Sequence, residues 1–218
     1  MSIRNYIDYI DDPNDTYLQY LEKAKTYGFR CVFAGLDTYD EALAYLRDTD
    51  IIIAGAIDFP EGILPLEEKL KVLEAYAKKG FQEIDYVLNQ ETIKHRDFAT
   101  IQEEMTRIAD LCRAHGMRDK AIIEMCKLDG DDAAKKEICL IANKAKPAFL
   151  KTSTGKSFGG AKIEDVKLMK EYLCEDIKIK AAGGIRTYKE AKALIDAGAS
   201  VLGASAGIQI VEGEKQYR

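Results

Sequence analysis

The chain holds only two histidines, His95 and His115, and its five cysteines (Cys31, Cys112, Cys126, Cys139, Cys174) are scattered without C-x-x-C spacing. This argues against a zinc site or a disulfide framework, because an odd set of separated thiols reads as reduced cysteines in a cytoplasmic protein. Long apolar runs are missing too: the longest, Ile51 to Ile57, is seven residues, far short of a membrane span. Acidic residues stand near the N-terminus where a secretory signal needs an apolar core, so a soluble, unprocessed chain is expected. Nor is there a basic stripe or a polybasic arm. With 32 basic and 37 acidic side chains interspersed and a net charge of −5, neither nucleic acid nor a membrane surface is an expected partner. No linker, domain-scale repeat or low-complexity segment divides the 218 residues. They suit one domain spanning 1–218, with a polar tail from 212 whose default is mobility. The expected partner is a small molecule.

What is present is a regular alternation of strand and helix patterns. Strands are expected at Asn5–Tyr9, Phe29–Phe33, Ile51–Ile57, Glu83–Leu88, Lys120–Met125, Phe149–Lys151, Ile177–Ala181 and Ser200–Ala204. Helices are expected at Tyr17–Thr26, Tyr39–Arg47, Leu66–Lys78, Glu91–Ala114, Asp131–Ala145, Ile163–Leu173, Tyr188–Asp196 and Ser205–Val211. Gly28, Gly80, Gly116 and Gly198 each follow a helical run, as C-terminal caps do, and Thr187 with Glu190 has capping-box spacing. Alternation of this kind builds a parallel sheet covered by helices. An open doubly wound sheet is the alternative, but eight units in so short a chain favour closure into an α/β fold, a single (β/α)8 barrel of the TIM type, with its chemistry at the carboxyl ends of the strands.

Two strand ends carry the chemistry. The run 148–160, Ala-Phe-Leu-Lys-Thr-Ser-Thr-Gly-Lys-Ser-Phe-Gly-Gly, is a short apolar strand ending in Lys151, then a polar turn before a helical pattern. Burial disfavours an ammonium and lowers its pKa, and a neutral amine is a nucleophile. The plainer reading is a surface turn with solvated lysines. The run 177–187, Ile-Lys-Ile-Lys-Ala-Ala-Gly-Gly-Ile-Arg-Thr, repeats the pattern with Lys180. Consecutive parallel strands lie about 4.8 Å apart, so Lys151 and Lys180 are expected side by side, each raising the cost of charging the other. A shift from about 10.4 to near 7 corresponds to roughly 4 to 5 kcal/mol, within reach of burial plus one close cation.

Asp85, in the strand Glu83-Ile84-Asp85-Tyr86-Val87-Leu88, alternates away from Ile84, Tyr86 and Leu88. Inside a barrel it needs a cation, and the two lysines supply one; the alternative is a purely structural ion pair. Glu124 is a similar strand-end acid whose facing alternation leaves open. Lys178 shares parity with Lys180 two residues deeper, and its plain account is a side chain that snorkels from the opposite rim. Charge runs such as Glu67-Glu68-Lys69-Leu70-Lys71 read as solvated outer helix faces. Loops after strands six to eight carry an anion cradle: Gly155 and Lys156, then Gly183, Gly184 and Arg186, then Gly203 and Ser205. Glycines let backbone approach a phosphate and helix starts favour its charge. Arg186 alternatively serves a structural ion pair.

Taken together, LKTSTGK (150–156), IKAAGGIRT (179–187), GASAG (203–207), EIDYVLN (83–89) and, less closely, DFPEG (58–62) resemble the deoxyribose-phosphate aldolases, from about Tyr27 to Glu212. The resemblance implies a (β/α)8 barrel and a metal-free, cofactor-free class I aldolase. Such an enzyme cleaves 2-deoxy-D-ribose 5-phosphate reversibly to acetaldehyde and D-glyceraldehyde 3-phosphate. It implies Lys151 as the imine-forming nucleophile, Lys180 as its pKa-lowering neighbour and Asp85 as proton relay, with Thr152 and Asp8 in the substrate set. It also implies a homodimer or homotetramer. The fit is poorest near the N-terminus, where the family's hydroxyl-reading threonine is replaced by Ile10, and Cys31-Val32-Phe33-Ala34-Gly35 departs from the usual run. These changes admit another phosphorylated sugar as substrate. A catalytically silent phosphate-binding barrel is the further alternative. A C-terminal tyrosine folds over the site in some relatives, which singles out Tyr217.

Overall fold

The computed structural model describes residues 2–217. Among them, eight parallel strands close into a barrel in the order of the sequence. They are β1 (Ile7–Tyr9), β2 (Cys31–Phe33), β3 (Ile52–Ile57), β4 (Glu83–Val87), β5 (Arg118–Ile122), β6 (Phe149–Lys151), β7 (Lys178–Ala182) and β8 (Val201–Ala204). The helices are α1 (Tyr17–Tyr27), α2 (Tyr39–Leu46), α3 (Leu66–Lys79), α4 (Gln90–His95), α5 (Phe98–Ala114), α6 (Asp132–Ala145), α7 (Ile163–Tyr172), α8 (Tyr188–Ala197) and α9 (Gly207–Lys215). This is the expected (β/α)8 fold. No helix among the described residues is long and apolar enough to cross a membrane.

The caps form as their residues dictate. Gly28, Gly80, Gly116 and Gly198 all take positive φ just past a helix, and Thr187 and Glu190 complete a reciprocal capping box at α8. One expected helix is two. The run Glu91–Ala114 breaks because Arg96 enters the left-handed region at φ 55 and its guanidinium pairs with Asp131 at 2.8 Å. Asp97 then caps α5 through the Thr100 amide. At the other end of the chain, Asn5 and Tyr6 belong to a 3-10 turn rather than to the first strand. Tyr217 stacks on Tyr188 with ring centroids 5.3 Å apart, while Arg218 lies outside the described residues.

The apolar core lies mainly between strands and helices, where Ile7, Leu21, Ile84, Tyr86, Ile101, Ile108, Ile138, Leu150 and Leu202 are buried. The barrel interior is different. Small (β/α)8 barrels usually fill it with branched aliphatic side chains, whereas here Asp8, Glu83, Asp85, Lys120, Lys151 and Lys180 are all buried there. A second buried charge corrects the reading of the 67–71 run as solvated. Lys69 is fully buried, 3.0 Å from Asp58 and 2.5 Å from Glu104, and donates to the Val87 carbonyl. A helix needs only every third or fourth residue on its inner face, and a lysine can occupy that face when carboxylates meet it.

Candidate active site

Residues Lys151 and Lys180 sit directly opposite one another across the β6–β7 ladder. Their nitrogens meet at a single oxygen: Lys151 Nζ donates to Asp85 Oδ2 at 2.7 Å and Lys180 Nζ donates to the same oxygen at 2.9 Å. Asp85 reaches them from β4 because its parity points inward with Glu83. Its other oxygen, Oδ1, accepts from Lys120 Nζ at 2.9 Å. Lys180 also lies 2.7 Å from Asp8 Oδ2. Burial pulls the Lys151 amine down to about 8; Asp85 opposes this, and the charges of Lys180 and then Lys120 add to it. Burial alone would raise Asp85, but Lys120, Lys151 and Lys180 together hold its carboxyl well below the usual range. The arrangement is a carboxylate that stays charged beside an amine poised near neutrality.

The floor beneath that pair was not legible as a site. Arg30 donates to Asp8 Oδ1 at 2.8 Å and forks onto Glu83 at 3.0 and 2.6 Å, and Lys120 lies 2.7 Å from Glu83. A signal existed, since a barrel facing three inward carboxylates requires as many cations. A fifth strand beginning at Lys120, as expected from the pattern, would leave that residue at its first position. The strand begins two residues earlier, which places Lys120 opposite Asp85, in the middle of the ladder. Glu124 does not face the interior. It sits past the end of β5 at φ 65, and its carboxylate accepts the Thr154 amide at 3.3 Å and the Thr154 hydroxyl. Thr154 in turn accepts from the Lys156 amide at 3.0 Å, so Glu124 shapes the loop after β6. Lys178 is exposed at the start of β7, its ammonium 5.8 Å from the Phe149 ring.

At the carboxyl face, a cavity of about 240 Å³ gathers the expected cradle: Gly155, Lys156, Gly183, Gly184, Arg186, Gly203 and Ser205 all line it. Gly155, Gly183 and Gly184 take φ of 77, 93 and 75°, open to glycine at little cost. A Cβ on Gly183 would stand 2.9 Å from Gly160 Cα and 3.0 Å from Gly155 Cα, so the loops after β6 and β7 touch backbone to backbone. Lys156, Arg186 and Ser205 are exposed to the cavity's solvent. Two expected substrate residues stand elsewhere. Asp8 is fully buried in the ion cluster, and the Thr152 hydroxyl bridges β6 to β7, accepting from the Ala182 amide at 3.2 Å. A larger groove of about 800 Å³ between α6 and α7 shares no residue with this mouth.

No family model matches the chain. It is 39% identical over 217 residues to the deoxyribose-phosphate aldolase of Caldanaerobacter subterraneus subsp. tengcongensis, covering 97% of this chain and 93% of that protein. The chain belongs to the deoxyribose-phosphate aldolase family. The corresponding Thermoanaerobacter sp. aldolase is 38% identical over 97% of this chain and 96% of its own length. The deoxyribose phosphate aldolase of Aeropyrum pernix, described as having a unique tetrameric structure, shares the fold with a TM-score of 0.86 at 24% identity, over 99% of this chain and 92% of that one.

Against this aldolase family, the two departures seen in the sequence fall inside the site. Ile10 lines the cradle beside Asp11 and Pro13. Phe33 places its ring 4.9 Å from Lys180 Nζ and 5.7 Å from Lys120 Nζ, while Phe59 stands 5.5 Å from Lys151 Nζ. Phe33 is held by its backbone, donating to the Tyr20 hydroxyl at 2.8 Å and accepting from Tyr17 at 3.2 Å. Asp8, Cys31 and Glu83 bring ligand atoms within 4.8 Å of one another. Arg30 and Lys120 already bind those carboxylates, and burial pushes the Cys31 thiol far up. A dication would have to enter among fixed cations, so in this aldolase the trio does not suit a metal.

Proposed function

We propose that the chain is a class I aldolase that cleaves 2-deoxy-D-ribose 5-phosphate to acetaldehyde and D-glyceraldehyde 3-phosphate, and runs in reverse, through an imine on Lys151. The observation that carries this reading is a buried lysine, with its pKa lowered to about 8, sharing one carboxylate oxygen with a second lysine. Once uncharged, the Lys151 nitrogen attacks the C1 aldehyde of the open-chain sugar. Water then leaves and a protonated imine remains. That cation draws the electrons of the C2–C3 bond as the C3 hydroxyl loses its proton, releasing glyceraldehyde 3-phosphate; protonation at C2 and hydrolysis free acetaldehyde and the amine. Asp85, unprotonated at rest, enters as proton acceptor, and Lys180 supplies the neighbouring charge and a proton to exchange. Gly155, Lys156, Gly183, Gly184, Arg186, Gly203 and Ser205 hold the phosphate.

The test is borohydride reduction with substrate, followed by peptide mass mapping. An adduct on Lys151, lost with activity in Lys151→Leu, supports the reading; an adduct on another lysine, or none, overturns it. A second reading, a Schiff-base aldolase for another phosphorylated sugar, is favoured by apolar Ile10 in the cradle, and rates on a panel of sugar phosphates decide between them. We also infer a homodimer or homotetramer in the cytoplasm, checked by sedimentation and by fractionation.

A further inference from the structure

Within the barrel, the buried charges balance without Lys151. Carboxylates Asp8 on β1 and Glu83 and Asp85 on β4 face Arg30, just before β2, Lys120 on β5 and Lys180 on β7. Strands β3 (IIAGAI) and β8 (VLGA) contain no ionisable residue. Arg118 touches Glu83 from outside, where its side chain is 44% exposed and screened. Lys120 is also flanked by the buried Cys31 thiol, which stays protonated, and by the rings of Phe33 and Phe149 at 5.7 and 6.0 Å.

Among the described residues the three lysines differ in how many carboxylates hold them. Lys120 has Glu83 at 2.7, Asp85 at 2.9 and Asp8 at 3.7 Å; Lys180 has Asp8 and Asp85; Lys151 has Asp85 alone. Of the three, Lys151 has the fewest carboxylates about its ammonium. Lys120 pairs across the ladder with Phe149, two residues before Lys151, so it lies one layer beneath the amines and does not meet a carbonyl at the mouth. We propose that Lys120 is a positioning residue for the reaction: it neutralises the floor and holds Asp85 toward Lys151 and Lys180, leaving Lys151 as the amine free to react. This rests on the imine reading of Lys151. Without Lys120, three carboxylates would face two cations, and the cluster would recruit Lys151 as the third.

The experiment follows the yield of borohydride-trapped adduct at Lys151 against pH, in wild type, Lys120→Met, Lys120→Arg, Glu83→Gln and the Lys120→Met/Glu83→Gln double variant. Lys120→Met should move the acidic limb up by about one unit or more, the size of a close charge's effect, with yield recovering above the new limb. Glu83→Gln should move it down, Lys120→Arg should leave it near wild type, and the double variant should fall back toward wild type. A structural role alone predicts loss of yield at every pH and no reversal of sign. An unmoved limb in Lys120→Met, shifts of the same sign in both single variants, or a double variant no different from Lys120→Met overturns the proposal. If Lys120→Met lacks a cooperative thermal transition, Glu83→Gln decides: a downward limb supports the proposal and an unmoved or raised one overturns it. Failure of the imine reading shows separately, as no Lys151 adduct in wild type.

Discussion

Removing the Lys180 charge tests the proposed tuning of Lys151. Lys151 and Lys180 both bond one oxygen of Asp85, at 2.7 and 2.9 Å, so their nitrogens are within about 6 Å; two unit charges at about 5 Å with an effective dielectric of about 20 repel by about 3 kcal/mol. That energy corresponds to roughly two pKa units. Lys180→Met removes this repulsion and also strips Asp8 and Asp85 of a counter-ion, which increases their pull on the Lys151 proton. Both effects raise the Lys151 pKa from about 8, and relaxation of the site reduces them. The net expectation is an acidic limb of kcat/KM that moves up by about one to two units. The assay is a coupled aldehyde measurement from pH 6 to 10, with circular dichroism at each pH. An acidic limb that stays within a few tenths of a unit would show that Lys151 is tuned without Lys180, which has then been given the wrong role.

Further substitutions examine the cradle and the frame. Gly183→Ala places a Cβ at φ 93, 2.9 Å from Gly160 Cα; KM for the phosphorylated sugar should rise about tenfold or more, a cost of about 1.4 kcal/mol, and rates on unphosphorylated 2-deoxyribose should change much less. Equal losses on both would place Gly183 in the fold rather than in phosphate binding. Lys69→Met leaves Asp58 and Glu104 buried without their cation, which should cost about 3 to 5 kcal/mol and lower Tm by about 10 °C; a fall under about 2 °C refutes the account. Burial pushes Asp119 up to about 6 against the bond it accepts from the Ala148 amide. Its folded pKa lies above the unfolded 3.8, so its stabilising share is full below pH 4 and is lost as pH rises through 6. Asp119→Asn should flatten that decline in a Tm series from pH 4 to 7; an unchanged slope assigns it to other groups.

Periodicity and punctuation determined the frame of this protein. Strand–helix alternation, with glycines at helix ends, specifies a parallel sheet covered by helices, and eight units in so short a chain favour its closure into a barrel, one strand face under helices and the other lining the interior. The facing lysine pair was legible for the same reason. A strand fixes the parity and depth of its residues, so Lys151 at the end of β6 and Lys180 within β7 had to meet on neighbouring strands. That the loops after β6, β7 and β8 line one cavity was equally readable, since their glycines are closely spaced in sequence and their strands are adjacent. What pattern could not supply was the buried ion pairing. Lys120, Arg30 and Glu83 of the barrel cluster, and Lys69 of the separate pair with Asp58 and Glu104, come from segments far apart in the chain, and a charged residue in a periodic run looks the same whether water or a buried carboxylate receives it. Only closure of the barrel decided that, by setting the register that puts Lys120 opposite Asp85 and the depth that removes both from water. Closure likewise turned Glu124 to the β6 loop, Asp8 to Lys180 and the Thr152 hydroxyl to β7, because a strand-end side chain takes whichever neighbour the barrel's tilt brings within reach.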